Sequence, residues 1–164
     1  MSGVELDLSQ AERKLLELAR FLRTQENGKQ IKRDIVKRLR KAAGPVRQAV
    51  RASIRSAASD GHSGRGLRSA IAQKVQVVAK LNGKAVGVRI VAKETGSIRE
   101  FRNAPRRFNS RAGWHHLTFG AEPEVFQIGK PGWFDDPITD RKAEFRAAAE
   151  DVITDAARRF PRSF

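Results

Sequence analysis

The sequence contains no cysteine, no tyrosine and a single methionine. The absence of cysteine excludes a disulfide framework, a thiol nucleophile and any metal site built on thiolates. No apolar run approaches the roughly 18 residues that cross a membrane. The first residues, which include Glu5 and Asp7, lack the basic and apolar parts of a signal peptide. We therefore expect a protein that is neither exported nor embedded in a membrane.

Acidic residues are scarce as well, with 18 Asp and Glu against 33 Lys and Arg, which gives a formal charge of +15. A chain of 164 residues with 40% hydrophobic content predicts one domain, residues 1–164, with a modest core. So large an excess of positive charge indicates contact with polyanions or with acidic protein surfaces.

The charge is unevenly distributed along the chain. Residues 1–28 have a net charge of about −1, residues 29–120 of about +18 and residues 121–157 of about −5. Basic and acidic surfaces on one subunit would favour head-to-tail association between copies. The alternative is two differently solvated faces of a monomer.

The N-terminal half has the periodicity of amphipathic helices. A first helix is predicted over 10–25, with Ser9 as N-cap, Glu12 completing a capping box and Asn27-Gly28 ending it. A second helix is predicted over 29–58, and Gly44-Pro45 should kink it or split it into two packed pieces. Its apolar stripe is Ile31, Ile35, Leu39, Ala42, Val46, Ala49 and Ser53.

Basic side chains occupy the opposite side of this predicted helix, within an arc of roughly 80°. They are Arg33, Lys37, Arg40, Arg47, Arg51 and Arg55. Such a ladder suits a phosphate backbone or an acidic protein groove, and the alternative is an ordinary solvated face. No base-reading motif accompanies it, so we expect any contact with DNA to be independent of sequence.

Strand patterns follow a glycine-rich break over 59–66, which lacks the terminal Gly-Lys-Ser/Thr of a P-loop. Alternating apolar residues over 75–81 and 86–92, joined by Asn82-Gly83, predict a β-hairpin with a type I′ turn. A long basic connection over 94–113 leads to further strand-like segments at 114–120 and 125–128.

Pro137 is predicted to open a final helix to about Arg159. Its predicted buried stripe is Phe145, Ala148, Ala149, Val152, Ile153 and Ala156.

The sequence carries no recognisable catalytic or metal-binding motif. His115 and His116 are adjacent on a predicted strand, so they point to opposite faces and cannot chelate one ion. His62 lies in the glycine-rich break. Asp135-Asp136 precede a helix, where we expect capping and dipole stabilisation rather than metal binding. We therefore expect no enzymatic activity and no cofactor.

Together these elements predict an α+β fold. Its N-terminal helix occupies 1–28, the long basic helix and glycine-rich loop 29–72, and the C-terminal helix and tail 131–164. Between them, over 73–130, the central antiparallel β-hairpin is expected to extend to a small sheet carrying the Arg-rich loop 94–113, with the C-terminal helix packed on it.

Several short motifs follow one another in a characteristic order. After the long helices come a Gly-Arg-Gly-Leu-Arg-Ser-Ala-Ile segment at 64–71, the valine-rich hairpin, an aromatic-His segment ending in Phe-Gly at 114–120, and Pro-Gly-Trp-Phe at 131–134 before the alanine-rich helix. Over about residues 30–158 this order resembles the tail-completion or neck proteins of long-tailed double-stranded DNA bacteriophages.

The resemblance implies a structural virion protein, assembled in the host cytoplasm, that forms a ring in the neck where the DNA-filled head joins the tail. It implies a homo-oligomer of about six or twelve copies. The implied neighbours are portal, adaptor or stopper proteins on the head side and the tail terminator or tail tube on the tail side, with non-specific contact to genomic DNA. The competing hypothesis is a free-standing basic protein that binds nucleic acid without sequence specificity.

Two sets of residues are the candidates for such contacts. Besides the basic ladder, we expect the arginines of the 94–113 connection to dock on neighbouring proteins: Arg99, Arg102, Arg106, Arg107 and Arg111. The aromatic side chains of Trp114, Phe119, Trp133 and Phe134 are predicted to be core or interface anchors.

Overall fold

The structure, a computed structural model, describes residues 9–57, 66–82, 86–96, 102–118 and 121–159. The helices are α1 (Ser9–Phe21), α2 (Gly28–Ala42), α3 (Gly44–Arg55), α4 (Leu67–Lys74), α5 (Ala104–Asn109), α6 (Asp135–Asp140) and α7 (Lys142–Arg159). The strands are β1 (Val75–Lys80), β2 (Gly87–Ala92), β3 (Trp114–Thr118) and β4 (Ala121–Gln127). The predicted α+β class is confirmed.

The first helix ends at Phe21, four residues earlier than predicted. Thr24 accounts for this end, because its backbone N–H and its hydroxyl both donate to the carbonyl oxygen of Phe21, at 3.0 and 2.8 Å. Gly28 is the first residue of α2 and packs on the Leu22 carbonyl, where a Cβ would not fit. Asn27-Gly28 therefore starts the second helix and does not end the first. The Ser9 capping box involves side chains outside the described residues.

The predicted long helix is split at Ala43, next to Gly44-Pro45. Helical hydrogen bonds continue on both sides of this junction, from Ala43 N–H to the Leu39 oxygen and from Arg47 N–H to the Ala43 oxygen. Pro45 has no N–H to donate, so the helical ladder is interrupted there. The prediction of a break at this position is confirmed, and the second piece ends at Arg55 instead of Ala58.

The buried stripe of α3 differs from the predicted one. Val46, Val50 and Ile54 are buried, whereas Ala49 and Ser53 are half-buried. Because α3 packs against α4, α6 and β1, turning the larger side chains inward removes more apolar area from water. On α2 the predicted Ile35 and Leu39 are fully buried.

The first hairpin pairs β1 with β2 in an antiparallel register that runs from Val75 opposite Ala92 to Lys80 opposite Gly87. A two-residue turn at Asn82-Gly83 would instead pair Lys80 with residue 85. The hairpin is therefore confirmed, but the register is two residues away from the predicted one. Gly83 itself lies outside the described residues. The hairpin packs on α2, α3 and α4.

The second hairpin, β3 with β4, forms a two-stranded sheet of its own among the described residues. The prediction that one hairpin extends to a larger sheet is therefore wrong. The predicted 94–113 loop is also partly helical, because it contains α5, whose Ala104, Pro105 and Phe108 side chains are buried. These apolar residues are too few to show a helical period in the sequence.

The C-terminal helix begins at Asp135, before the predicted Pro137, and is interrupted at Arg141. Five residues of the predicted stripe of α7 are buried, and Ala148 is half-buried. Among the described residues, α7 packs mainly against α1 and α2 and not, as the sequence predicted, on the central hairpin. No helix of the described chain combines the length and the apolarity that a membrane crossing requires.

Candidate polyanion and partner-binding surfaces

The structure divides the predicted basic ladder into two groups with different surroundings. On α2, Arg33, Lys37 and Arg40 are exposed. On α3, Arg47 and Arg51 are half-buried, and only Arg55 is exposed. The residues are therefore correctly placed on helices, but they do not form one uniform surface.

The α2 group lines a groove of about 1090 Å³ between α2 and the end of β1. We call it the basic groove. Its cationic side chains are Lys29, Lys32, Arg33, Lys37, Arg40 and Lys80, and its floor consists of Val36, Ala79 and Leu81. No acidic residue of the described chain lines it. The groove can therefore hold an anionic group against a small apolar surface.

Sequence reasoning missed three of these cations. Lys29 and Lys32 lie on the groove side of α2, and the helical angle of about 100° per residue could have added them to the ladder. Lys80 comes from β1 and reaches the groove only because the hairpin packs on α2. No local sequence signal places a strand residue beside a helix that begins some fifty residues earlier.

The α3 group is a triad of like charges, Arg47, Arg51 and Arg55, spaced one helical turn apart. No carboxylate in the described part of the chain forms an ion pair with them. Arg51 donates from Nη2 to the Val75 carbonyl oxygen at 2.9 Å. Burial, followed by repulsion from Arg47 and Arg55, lowers the pKa of Arg51. The triad remains cationic because guanidinium groups stay protonated in proteins, and an anion bound there would relieve the repulsion.

Arg38, on the other side of α2, is paired with a carboxylate. Its Nη1 donates to Oδ2 of Asp155 on α7 at 2.5 Å. This hydrogen bond lowers the pKa of Asp155, against an opposing effect of burial, and Arg159 lowers it further. The α7 side of α2 is thus locally neutralised, whereas no described carboxylate pairs with the cations on the groove side.

The arginines of the 94–113 segment surround α5. Arg106 and Arg107 are exposed on the helix, Arg111 is exposed after it, and Arg102 lies before it, 3.8 Å from Glu94. None of these four described arginines lines the basic groove. Arg99 lies outside the described residues. These arginines therefore form a second basic surface, which the structure does not join to the groove.

Aromatic contacts fix α5 to the rest of the molecule. Phe108 packs on Trp114 with ring centroids 5.2 Å apart. Trp133 donates from Nε1 to the Pro105 carbonyl oxygen at 3.2 Å. Trp114, Trp133 and Phe134 are buried, so they belong to the core. Phe119, the fourth predicted anchor, lies outside the described residues.

The second hairpin exposes an apolar surface that the sequence did not reveal. Phe126 and Ile128 are 51% and 52% exposed. Phe126 is paired with His115 across the hairpin, with ring centroids 5.1 Å apart, and Ile128 follows two residues later, just after β4. We call Phe126, Ile128 and His115 the outer hairpin face. The opposite side is turned to the core through Trp114.

The remaining chemistry-bearing side chains that the structure describes do not assemble into a recognisable site. Among the described residues, no group of three or more His, Asp or Glu side chains is arranged to hold a metal ion. Asp135 does not cap α6; its carboxylate accepts a hydrogen bond from Asn109 Nδ2 at 2.6 Å. It does lie in the first turn with Asp136, as the dipole argument requires. His62 lies outside the described residues.

Fold and surfaces together define an α+β protein with a basic groove, an uncompensated arginine triad and an exposed apolar hairpin face. Comparison of the chain with protein-family models, with curated proteins and with solved structures finds no match.

Proposed function

We propose that this protein is a structural subunit of the neck of a long-tailed double-stranded DNA phage, where it forms a ring that joins the head to the tail. The observation that carries the proposal is the outer hairpin face. A two-stranded hairpin is at best marginally stable in water without a surface to pack on. This hairpin packs on the core on one side and leaves two large apolar side chains exposed on the other, which is the arrangement of a subunit whose neighbour completes it.

Charge supports the same proposal. The basic segment 29–120 and the acidic segment 121–157 favour contact between unlike surfaces of adjacent copies, and a head-to-tail contact of this kind closes into a ring when its rotation allows. The order of elements adds to this, because it resembles that of neck proteins. In this proposal the second basic surface, around α5, docks on the portal, adaptor or stopper on one side or on the tail terminator or tube on the other.

The proposal is tested by substituting the outer hairpin face. Phe126→Ser combined with Ile128→Ser should dissociate the oligomer, which light scattering detects as a lower mass of the particles in solution. The fold should persist because both side chains are more than half exposed. Ala147→Ser, at an exposed position of α7, is the matched control and should leave the mass unchanged. Electron microscopy of virions should then find the protein in the neck; a protein absent from particles contradicts the proposal.

A second candidate function rests on the arginine triad and the basic groove. If the protein is instead a free-standing nucleic-acid binder, it should hold duplex DNA as a monomer or dimer, with an affinity that falls steeply with salt. Fluorescence anisotropy of a labelled duplex at increasing salt concentrations distinguishes the two functions. The neck proposal predicts weak binding to naked DNA.

A further inference from the structure

The basic groove suits a peptide better than a nucleic acid. Its walls carry cations, but Val36 on its floor is a half-buried apolar side chain beside Ala79 and Leu81. A phosphate backbone could pair with the walls but would offer nothing apolar to the floor. A peptide that carries both carboxylates and aliphatic side chains would satisfy both parts of the groove.

The chain itself contains such a segment before α1. The sequence Val4-Glu5-Leu6-Asp7-Leu8 alternates aliphatic and acidic residues, and no basic residue precedes Arg13. This acidic segment lies outside the described residues. At about 3.3 Å per residue five residues reach roughly 17 Å. The cations of α2 from Lys29 to Arg40 extend over a similar length, roughly 16 Å at 1.5 Å per residue.

The arrangement of the helices argues that the acidic segment meets the groove of another copy. α7 packs on the side of α2 that carries Arg38. α1 packs on α7 in turn. Ile31 lies on the α7 side of α2, beside Ala156. Around the helix axis, the groove residue Arg40 is about 180° from Ile31. α1 therefore packs on the helix that covers the side of α2 opposite the groove.

We propose that the acidic segment of one copy docks into the basic groove of a second copy. Glu5 and Asp7 pair with cations of the walls, and the aliphatic residues of the segment contact the floor. This inference rests on the proposed function only in requiring that copies associate. It gives that association a specific contact, separate from the outer hairpin face.

Charge reversal with rescue tests the contact. Glu5→Lys with Asp7→Lys should weaken association of subunits by about tenfold or more, and so should Arg33→Glu with Lys37→Glu, because each leaves like charges facing each other. Combining the four substitutions in one chain should restore most of the lost affinity. Lys142→Glu with Arg158→Glu, which reverses two cations at exposed positions of α7 as the groove variant does in the groove, is the control and should have little effect.

Crosslinking tests the same contact without depending on affinity. Because the chain has no cysteine, Leu6→Cys and Asn82→Cys can be introduced in two separately tagged chains and mixed. Mild oxidation should give a disulfide-linked heterodimer. In the matched control Asn82→Cys is replaced by Ala143→Cys, at an exposed position of α7, and little heterodimer should form.

The outcomes separate this inference from the neck proposal. A wild-type protein that stays monomeric at all concentrations overturns both. An oligomer that keeps its affinity after the charge reversals, or that gives no specific crosslink, overturns only the docking of the acidic segment. Groove variants that lose duplex DNA binding but form oligomers of wild-type mass also overturn the docking of the acidic segment, because the groove would then be a nucleic-acid site.

Discussion

At the scale of single residues, arginines that look alike in the sequence have different roles. Arg38 is paired with Asp155, Arg51 donates to a backbone oxygen, and Arg40 lines an open groove. Helical spacing predicted which side of the helix the ladder occupies. It could not predict these differences, because each depends on an element distant in sequence: α7 for Arg38, β1 for Arg51, and the packing of the hairpin for the groove.

The ion pair between Arg38 and Asp155 should make stability depend on pH. The pKa of Asp155 in the folded protein lies below its ordinary value of 3.8, so the contribution of the pair is present above that pH and is lost as the pH falls through the folded-state pKa. Asp155→Asn should therefore be less stable than wild type at pH 7, and the difference should shrink below about pH 4.

Urea unfolding of both proteins from pH 7 to pH 2 measures this difference. Asp151→Asn, at an exposed carboxylate one turn earlier on α7, should match the wild-type stability at pH 7. A difference between wild type and Asp155→Asn that stays constant down to pH 2 would show that the ion pair does not cause it.

Gly132 should not tolerate a side chain. Its φ is +77°, and a Cβ there would lie 2.2 Å from Oδ2 of Asp136. Gly132→Ala should lower the free energy of unfolding by about 1–3 kcal/mol, measured by chemical denaturation. Gly44→Ala is the control, since a Cβ there meets nothing within 4 Å; it should leave stability unchanged or raise it by up to about 1 kcal/mol.

At the scale of elements, the sequence predicted those whose signal is local. The break at Gly44-Pro45, the first hairpin and the buried stripe of α7 follow from proline chemistry and from periodicity. The register of the hairpin, the helix α5 and the separation of the two sheets were wrongly predicted. α5 is held by Phe108 on Trp114 and by the hydrogen bond from Trp133 to Pro105, and neither partner is adjacent in sequence.

Phe108 should therefore matter more to stability than its position in a polar segment suggests. It is 4% exposed, and Phe108→Ala should cost about 3–5 kcal/mol because it leaves a cavity beside Trp114. Arg106→Ala, on the exposed side of the same helix, should change stability by less than about 0.5 kcal/mol. Thermal or urea unfolding measures both, and equal losses would contradict the role given to Phe108.

At the scale of the whole molecule, the structure shows where part of the net charge of +15 lies. On the α7 side of α2 it is partly neutralised by Asp155, whereas in the groove and along the triad no described carboxylate pairs with it. The outer hairpin face adds an exposed apolar surface on another part of the molecule. A subunit with these surfaces is expected to be completed by copies of itself, and this is the basis of the neck proposal.

The most direct test of this claim is native mass spectrometry of the purified protein across a range of concentrations, with negative-stain electron microscopy of the same samples. The proposal predicts a single closed oligomer seen as a ring, which Phe126→Ser with Ile128→Ser breaks into smaller species. A wild-type protein that remains monomeric at every concentration and binds duplex DNA tightly would contradict it.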